Sequence, residues 1–138
     1  MKYLFLAVFF AVAACTDRLK REQAEYFAAC RAHEEGYFGN DAARAYEAEK
    51  TFIEFVKSRQ RTGAFLANPD LLVWEYPRLA LAAEACGRKD EADHLYLIAQ
   101  RYARKVYPNE NPVKSSAAPL RAAIEEMTPV RLAPWRRY

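Results

Sequence analysis

The stretch Asp90–Tyr107, DEADHLYLIAQRYARKVY, decides the fold class of this chain. Apolar residues recur along it at every third or fourth position, which is the period of an amphipathic helix. Acidic residues occupy its first turn and basic residues its last turn, and both placements complement the helix dipole. Pro108 follows and ends the pattern. The stretch therefore predicts a helix with one apolar face, which has to be buried against another element.

Three upstream segments repeat this period. We expect helices over residues 17–35, 41–59 and 68–87, all of which are rich in alanine, leucine, arginine and glutamate. These residue types favour helix. No segment alternates apolar and polar residues over any length, as a half-buried strand would. The pattern therefore predicts an all-α protein.

Residues at the segment ends sharpen these bounds. Asn40 or Asp41 is the expected N-cap of the second helix, and Asn68–Pro69 is a typical helix start. The glycines within Gly36–Gly39 should end the first helix. Pro77 lies inside the third segment, where it removes a hydrogen bond and crowds the preceding turn. We therefore expect a kink there, or two short helices that meet.

The last part of the chain holds five of the seven prolines. We expect a short helix over Ala118–Met127 and then an extended Pro-rich tail over residues 129–138. The tail either packs across the helices through Leu132 and Trp135 or stays free of them. The domain itself should span residues 15–128. We predict that it is an all-α bundle of four to five helices arranged in antiparallel hairpins.

Small and aromatic residues stand at regular spacings in and before the fourth helix. They are Leu79, Ala80, Ala83, Gly87, Ala92, Tyr96, Ala99 and Pro108. This set resembles one tetratricopeptide repeat, a pair of antiparallel helices spanning 34 residues. The resemblance implies that small residues let the helices approach, that Tyr96 fills the space between them and that Gly87 forms the turn. No second copy follows, so we expect tetratricopeptide-like packing rather than an array, and plain helix–helix contact is the alternative.

The N-terminus carries one positive charge at Lys2, an apolar run over Tyr3–Ala14 and then Cys15. The junction, Val12-Ala13-Ala14-Cys15, closely resembles the lipobox of bacterial lipoproteins. In that family a signal peptide is cut off before the cysteine, which is then acylated. The resemblance implies a signal peptide over residues 1–14, lipidation of Cys15 and attachment to a bilayer.

The apolar run has other interpretations. A membrane-spanning helix needs roughly 20 apolar residues, and this run has 12. An ordinary cleaved signal and a buried N-terminal helix are the remaining alternatives. Thr16, rather than an aspartate, follows the cysteine. The inner-membrane retention signal of Gram-negative lipoproteins is therefore missing, and we expect an outer-membrane anchor with the domain facing the periplasm.

Charge and cysteine content narrow the range of partners. The formal net charge is +3, which gives no indication of nucleic-acid binding. The two other cysteines, Cys30 and Cys86, would lie in an oxidising compartment if the chain is exported. An even pair of cysteines there predicts a disulfide, and two buried free thiols are the alternative.

Residue types that carry catalysis are few. The two histidines, His33 and His94, lie on different segments, and zinc-type spacings such as H-E-x-x-H do not occur. A glycine-rich phosphate loop is also missing. We therefore expect no catalytic residues, no metal, no cofactor and no enzymatic activity. A carboxylate pair brought together from two helices is the arrangement that the sequence leaves open.

Aromatic and arginine side chains point instead to binding, because tyrosine, tryptophan and arginine are enriched at interaction hot spots. Core filling is the alternative for the two tryptophans. We expect a membrane-anchored lipoprotein that binds a protein or peptide partner in the cell envelope. A lysozyme-type periplasmic hydrolase and an immunity or surface-exclusion lipoprotein are the alternatives. The candidate partner-binding residues are Trp74, Tyr76, Trp135, Arg136 and Arg137.

Overall fold

The structure is a computed structural model that describes residues 2–63, 68, 70–108, 117–127 and 133–137. Side chains are described from residue 16 onward within these ranges, except at 117–119 and 137. Every element among the described residues is helical, so the predicted all-α fold is confirmed. The elements are α1 (Lys2–Tyr37), α2 (Ala42–Thr62), α3 (Asp70–Ala85), α4 (Lys89–Val106), α5 (Ala117–Met127) and a terminal 3-10 helix (Pro134–Arg137).

The helices α2 to α5 follow the predicted segments closely, whereas α1 does not. It begins at Lys2 and runs through Cys15 without interruption, so it starts well before the predicted segment. It also continues to Tyr37, which places Gly36 inside the helix instead of after it. The predicted helix stop at Gly36 is therefore wrong.

The reason is a close contact between α1 and α2. A Cβ atom added at Gly36 would lie 2.4 Å from the Cβ of Ala48 on α2. Two carbon atoms at that distance overlap, so a glycine on α1 facing an alanine on α2 lets the two backbones approach. Gly36 is thus a packing residue of the α1–α2 interface, and its small size matters more here than its tendency to end helices.

Two helix starts use side-chain caps, as the sequence predicts. Asp41 precedes α2 and its Oδ1 accepts hydrogen bonds from the backbone N–H groups of Ala43 at 2.8 Å and Arg44 at 3.3 Å. Asn68 precedes α3 and its Oδ1 accepts from the N–H of Asp70 at 3.0 Å. Each carboxylate or amide oxygen satisfies a donor that the first turn of a helix leaves free. Asp41 is therefore the N-cap of the second helix.

The turn between α3 and α4 depends on Gly87. Its φ is 76°, in the left-handed region, and its N–H donates to the carbonyl of Glu84 at 2.9 Å. The N–H of Arg88 donates to the carbonyl of Ala83, also at 2.9 Å. These two bonds form a Schellman motif, which closes the end of α3 and reverses the chain into α4.

The predicted interruption at Pro77 takes a milder form than two separate helices. α3 is one element from Asp70 to Ala85 with Pro77 inside it, and the proline ring is buried. Proline has no N–H, so the carbonyl of Val73 loses its partner within the helix. Burial of the ring in the core offsets this loss, and the alternative of two short helices is wrong.

The helices pack in chain order around one core. α2 contacts both α1 and α3, α4 packs on α3, and α5 covers α3 and α4. Of the positions that resemble a tetratricopeptide repeat, all six on α3 and α4 are buried. Tetratricopeptide-like packing and plain helix–helix contact both predict this burial, so the resemblance stays a prediction. The six residues are Leu79, Ala80, Ala83, Ala92, Tyr96 and Ala99.

The described part of the tail packs onto the bundle. Residues 134–137 form a 3-10 helix, so the prediction of an extended tail is wrong at these positions. Trp135 is only 1% exposed and its Nε1–H donates to the backbone carbonyl of Tyr37 at 2.6 Å. The two rings meet edge to face, with centroids 5.4 Å apart. The C-terminal segment therefore closes the end of α1.

The other end of α1 extends away from the core. Residues 16–25 are exposed except Glu22, and contact with the bundle begins where Glu25 pairs with Arg59 on α2 and Tyr26 packs near Phe55. We call residues 16–25 the stalk, which is about 15 Å long at the helical rise of 1.5 Å per residue. Within the described part of the chain, no helix has the length and apolar character that crossing a bilayer requires.

Candidate functional site

Three helices bring ionisable side chains together in the interior. His33 on α1, Glu49 on α2 and Glu75 on α3 are 6%, 0% and 4% exposed. One nitrogen or oxygen atom from each lies within 4.8 Å of the other two. Arg78 follows Glu75 by one turn of α3 and is also largely buried. These four residues form what we call the buried cluster.

Hydrogen bonds join the buried cluster in two pairs. Nε2 of His33 and Oε2 of Glu49 lie 2.6 Å apart and share one proton. Nη1 of Arg78 donates to both oxygens of Glu75, at 3.2 and 3.0 Å. The second pair is a charge-assisted hydrogen bond, which is stronger than a neutral one.

One carboxylate oxygen is left over. Oε1 of Glu49 accepts no hydrogen bond from any described residue, although its side chain is fully buried. The Glu75 carboxyl group lies within hydrogen-bonding range of Glu49 and lowers its pKa, so Glu75 can donate to this carboxylate only while it carries a proton itself. Buried polar atoms without a partner destabilise a fold by about 1–3 kcal/mol, so they are rare in native proteins.

The protonation of the buried cluster follows from its surroundings. Burial raises the pKa of Glu49 to about 8. Burial, and next the charge of Glu49, raise the pKa of Glu75 to about 8, while the Arg78 guanidinium opposes this rise. Burial also lowers the pKa of His33 below its usual 6.5. Near neutral pH the imidazole is therefore uncharged and the pair of carboxyl groups retains a proton.

Aromatic rings hold the imidazole in place. The ring of His33 stacks on Phe52 with centroids 4.6 Å apart and on Tyr37 at 5.4 Å. Phe52 follows Glu49 by one turn on α2, so the same helix face supplies both the acid and the ring that packs on the base. This packing fixes the direction in which His33 faces Glu49.

An open groove borders the buried cluster at His33. It lies between α1 and α2, has a volume of about 360 Å³, and we call it the α1–α2 groove. His33 lines it, and most of its other lining is small or apolar. Arg44 and Glu47 provide charge at its rim. Its remaining lining residues are Ala29, Ala32, Gly36, Ala48, Thr51, Phe52 and Phe55.

The residues predicted to bind a partner do not form one exposed surface. Tyr76 is buried and stacks on Tyr102, with ring centroids 5.4 Å apart. Trp135 is buried as described, so neither of these two rings is available to a partner. Trp74 is half-buried and packs against the core. Both tryptophans thus follow the core-filling alternative.

Arg136 and Arg137 belong to the terminal 3-10 helix. Nη1 of Arg136 donates to the backbone carbonyl of Glu125 at 2.8 Å, and the side chain is half-buried. The side chains of Arg137 and of Cys15, the predicted lipidation site, lie outside the described residues. Arg136 therefore ties the tail to α5.

The predicted disulfide is not formed, because Cys30 and Cys86 are both free thiols. Cys30 lies beside Tyr26 and is close enough to Glu75 for that charge to raise its pKa, after the larger effect of burial. Glu75 and Cys86 are 11 residues apart along α3 and its end, which is about 16 Å at helical rise. The two cysteines therefore lie at different levels of the bundle, which a sequence pattern does not reveal.

The buried cluster is the feature that sequence reasoning missed. A signal was present, because Glu49 interrupts an apolar stripe between Tyr46 and Ile53, and both of those neighbours are buried. Glu75 similarly lies between the buried residues Leu72 and Leu79 on α3. An ionisable residue at a core position of a helix indicates a buried partner.

Comparison of the chain with protein-family models, with curated proteins and with solved structures finds no significant match. Its function is therefore argued from its own residues.

Proposed function

We propose that this chain is a lipid-anchored helical module that binds an apolar helical segment of a partner protein in the bacterial cell envelope. The anchor is an acyl group on Cys15, and the binding surface is the α1–α2 groove. The observation that carries the proposal is the groove itself, which is open and lined mostly by small and apolar side chains.

The sequence supports the anchor. Val12–Cys15 resembles a lipobox, and acylation of Cys15 would attach the start of the mature α1 to the periplasmic face of the outer membrane. Ala29, the first residue of the groove, is 14 residues beyond Cys15, or about 21 Å along the helix. The exposed stalk would therefore hold the groove clear of the lipid headgroups, where a partner can reach it.

The lining of the groove supports a helical partner. Ala29, Ala32 and Gly36 recur at the spacing of one face of α1, and Ala48 faces them from α2. Small side chains on two adjacent helices leave a trough into which the ridge of a third helix fits. Phe52 and Phe55 would supply the apolar contact area at one end. Helix-in-groove recognition uses this combination of a trough and apolar anchors.

A lysozyme-type hydrolase receives little support from the carboxylate pair. Glu49 and Glu75 are close together, as such an enzyme requires, but they are 0% and 4% exposed. A glycan chain has to reach both carboxyl groups, and the lining of the α1–α2 groove includes neither of them. An immunity or surface-exclusion lipoprotein would also act by binding, and the identity of its partner would distinguish it.

The proposal is tested by filling the groove and measuring partner capture. A photo-crosslinking amino acid at Thr51, an exposed groove residue, is used in the native envelope and the captured protein is identified by mass spectrometry. We expect Ala32→Trp to abolish capture of that protein, because the indole occupies the trough. Ala28→Trp is the matched control, since Ala28 is an exposed alanine on the same helix outside the groove. Equal capture in both variants would contradict the proposal.

The anchor is tested separately with a fatty-acid analogue. Wild-type protein should take up the label and sediment with membranes, whereas Cys15→Ser should do neither. A serine variant that is still labelled would show that the acyl group is elsewhere or that the lipobox interpretation is wrong.

A further inference from the structure

The unpartnered oxygen of Glu49 requires an explanation. It lies in the interior next to a histidine and a second glutamate, and the one described group that could donate to it is the Glu75 carboxyl in its protonated form. A bound ion or water is the usual reason for an unsatisfied polar atom in a native core. The atoms around Oε1 of Glu49 indicate whether an ion or a water molecule would bind there.

The surrounding atoms are of metal-ligand type. His33, Glu49 and Glu75 each offer one ligand atom, and the three atoms lie within 4.8 Å of one another. Because they project from three packed helices, the fold holds them together before any ion arrives. Imidazole nitrogen suits zinc and its neighbours in the first transition row, and a mixture with carboxylates is a known zinc set.

We propose that His33, Glu49 and Glu75 bind a divalent first-row transition-metal ion, with Zn²⁺ as the best-fitting member. The ion replaces the proton that the two carboxyl groups of the buried cluster retain near neutral pH, and that proton passes to solvent. Oε1 of Glu49 then has a partner. Three protein ligands leave one of the four tetrahedral positions of zinc to a water molecule.

Arg78 suits the role of an outer partner of this site. Its guanidinium holds both oxygens of Glu75, and metal-bound carboxylates are typically hydrogen-bonded in this way. The charge of the ion is balanced by the two carboxylates, while Arg78 is 18% exposed and keeps contact with solvent. A cation also removes the repulsion between two carboxylates that are packed side by side.

An ion has a route to the site. His33 lines the α1–α2 groove, so one ligand borders an open surface even though its side chain is 94% buried. His33 is therefore the ligand through which the groove borders the site. This proposal is independent of whether the groove binds a partner protein.

The test uses the full chain, purified in detergent and stripped of metal with a chelator. Titration with ZnCl₂ should give one ion per chain. Glu49→Gln removes a charged ligand with little change in shape, and we expect it to weaken binding more than about tenfold, as loss of even an outer partner does. His94→Gln is the matched control, because His94 is the exposed histidine of this chain, and its affinity should equal that of the wild type.

Cobalt provides a readout that needs no variant. Co²⁺ bound at nitrogen and oxygen gives weak visible bands, whereas binding to the free thiols of Cys30 or Cys86 adds a strong sulfur-to-metal band. We expect the former spectrum from the wild type. A sulfur band, the absence of stoichiometric binding, or unchanged affinity in Glu49→Gln would each overturn the proposal. The cobalt spectrum decides the matter even if that variant does not fold.

Discussion

The α3–α4 interface and the junction of α1, α2 and α3 are held together by different chemistry. Between α3 and α4, small apolar residues such as Ala83, Ala92 and Ala99 are fully buried and let the helices approach closely. At the junction, the interior contains His33, Glu49 and Glu75 instead. The stability of the α3–α4 interface depends on how closely small side chains pack, and pH or added metal hardly changes that. The stability of the junction depends on the protonation of its ionisable side chains and on any ion bound to them, so it should respond to pH and to metal.

The largest expected effect on stability is at the apolar α3–α4 interface. Leu95→Ala on α4 deletes a side chain that is 7% exposed, and we expect the free energy of unfolding to fall by about 2–5 kcal/mol. Leu97→Ala on the same helix is the control, because Leu97 is 49% exposed and its loss should cost less than about 0.5 kcal/mol. Chemical denaturation measures both. Similar values for the two variants would mean that α4 is not packed as described.

A smaller effect is expected where α1 meets α2. Gly36→Ala introduces a methyl group that overlaps Ala48, and overpacking of this kind destabilises by about 1–3 kcal/mol. Ala48→Gly in the same chain removes the overlapping atom and should restore most of the loss. Thermal and chemical unfolding of the single and double variants measure this. Failure of the second change to restore stability would show that the two helices approach elsewhere.

The free energy of unfolding of the metal-free protein should depend on pH because of the ionisable side chains at the junction of α1, α2 and α3. In the folded state the pKa of Glu75 is about 8, against 4.5 for an ordinary glutamate, so the folded chain holds the proton more tightly than the unfolded chain. Stability should therefore fall by on the order of 1–2 kcal/mol as the pH rises from 6.5 through 8, and level off above that. His33 opposes this fall only near pH 6.5, where the unfolded imidazole with its usual pKa of 6.5 is still partly protonated and the folded one, whose pKa is lowered by burial, is not.

The measurement is chemical denaturation in the presence of a chelator at a series of pH values. Glu75→Gln cannot ionise, so its stability should change less across the same range. A wild-type curve that is flat or rises with pH would contradict the predicted protonation of the buried cluster.

The smallest effect concerns the cysteines. Because Cys30 and Cys86 are free and only half-buried, Cys86→Ser should change the free energy of unfolding by less than about 1 kcal/mol. Thiol titration of the denatured Cys15→Ser chain without reductant should find two reactive groups. Finding none would restore the disulfide that the sequence pattern suggests.

Local chemistry explains which parts of the fold were predictable. The bounds of α4, the cap at Asp41 and the turn at Gly87 depend on residues within a few positions of each other, and these features are readable in one sequence. The contacts of Gly36 and Trp135 depend on residues brought close by folding, and the indole of Trp135 meets a carbonyl 98 residues away. The periodicity of a sequence does not reveal which residues so far apart in the chain come into contact.

The candidate site was less predictable than the fold for a related reason. In a single sequence Glu49 and Glu75 look like ordinary surface glutamates. Each lies on an apolar stripe of its helix, but the sequence does not show which helix packs against that stripe. Metal-site motifs usually place two ligands on one helix, whereas here each helix supplies one. A search for ionisable residues at core positions would have found His33, Glu49 and Glu75.

The bond between Trp135 and the carbonyl of Tyr37 has a consequence for synthesis of the chain. Tyr37 is the last residue of α1, and the carbonyl groups at a helix end have no partner within the helix. Its donor is therefore made almost a hundred residues later, after α2, α3 and α4 have been translated. A chain that lacks residue 135 would lose both the indole that covers the end of α1 and its hydrogen bond to the Tyr37 carbonyl. Proteases that cleave loosely packed chains would then distinguish molecules that contain this segment from molecules that lack it.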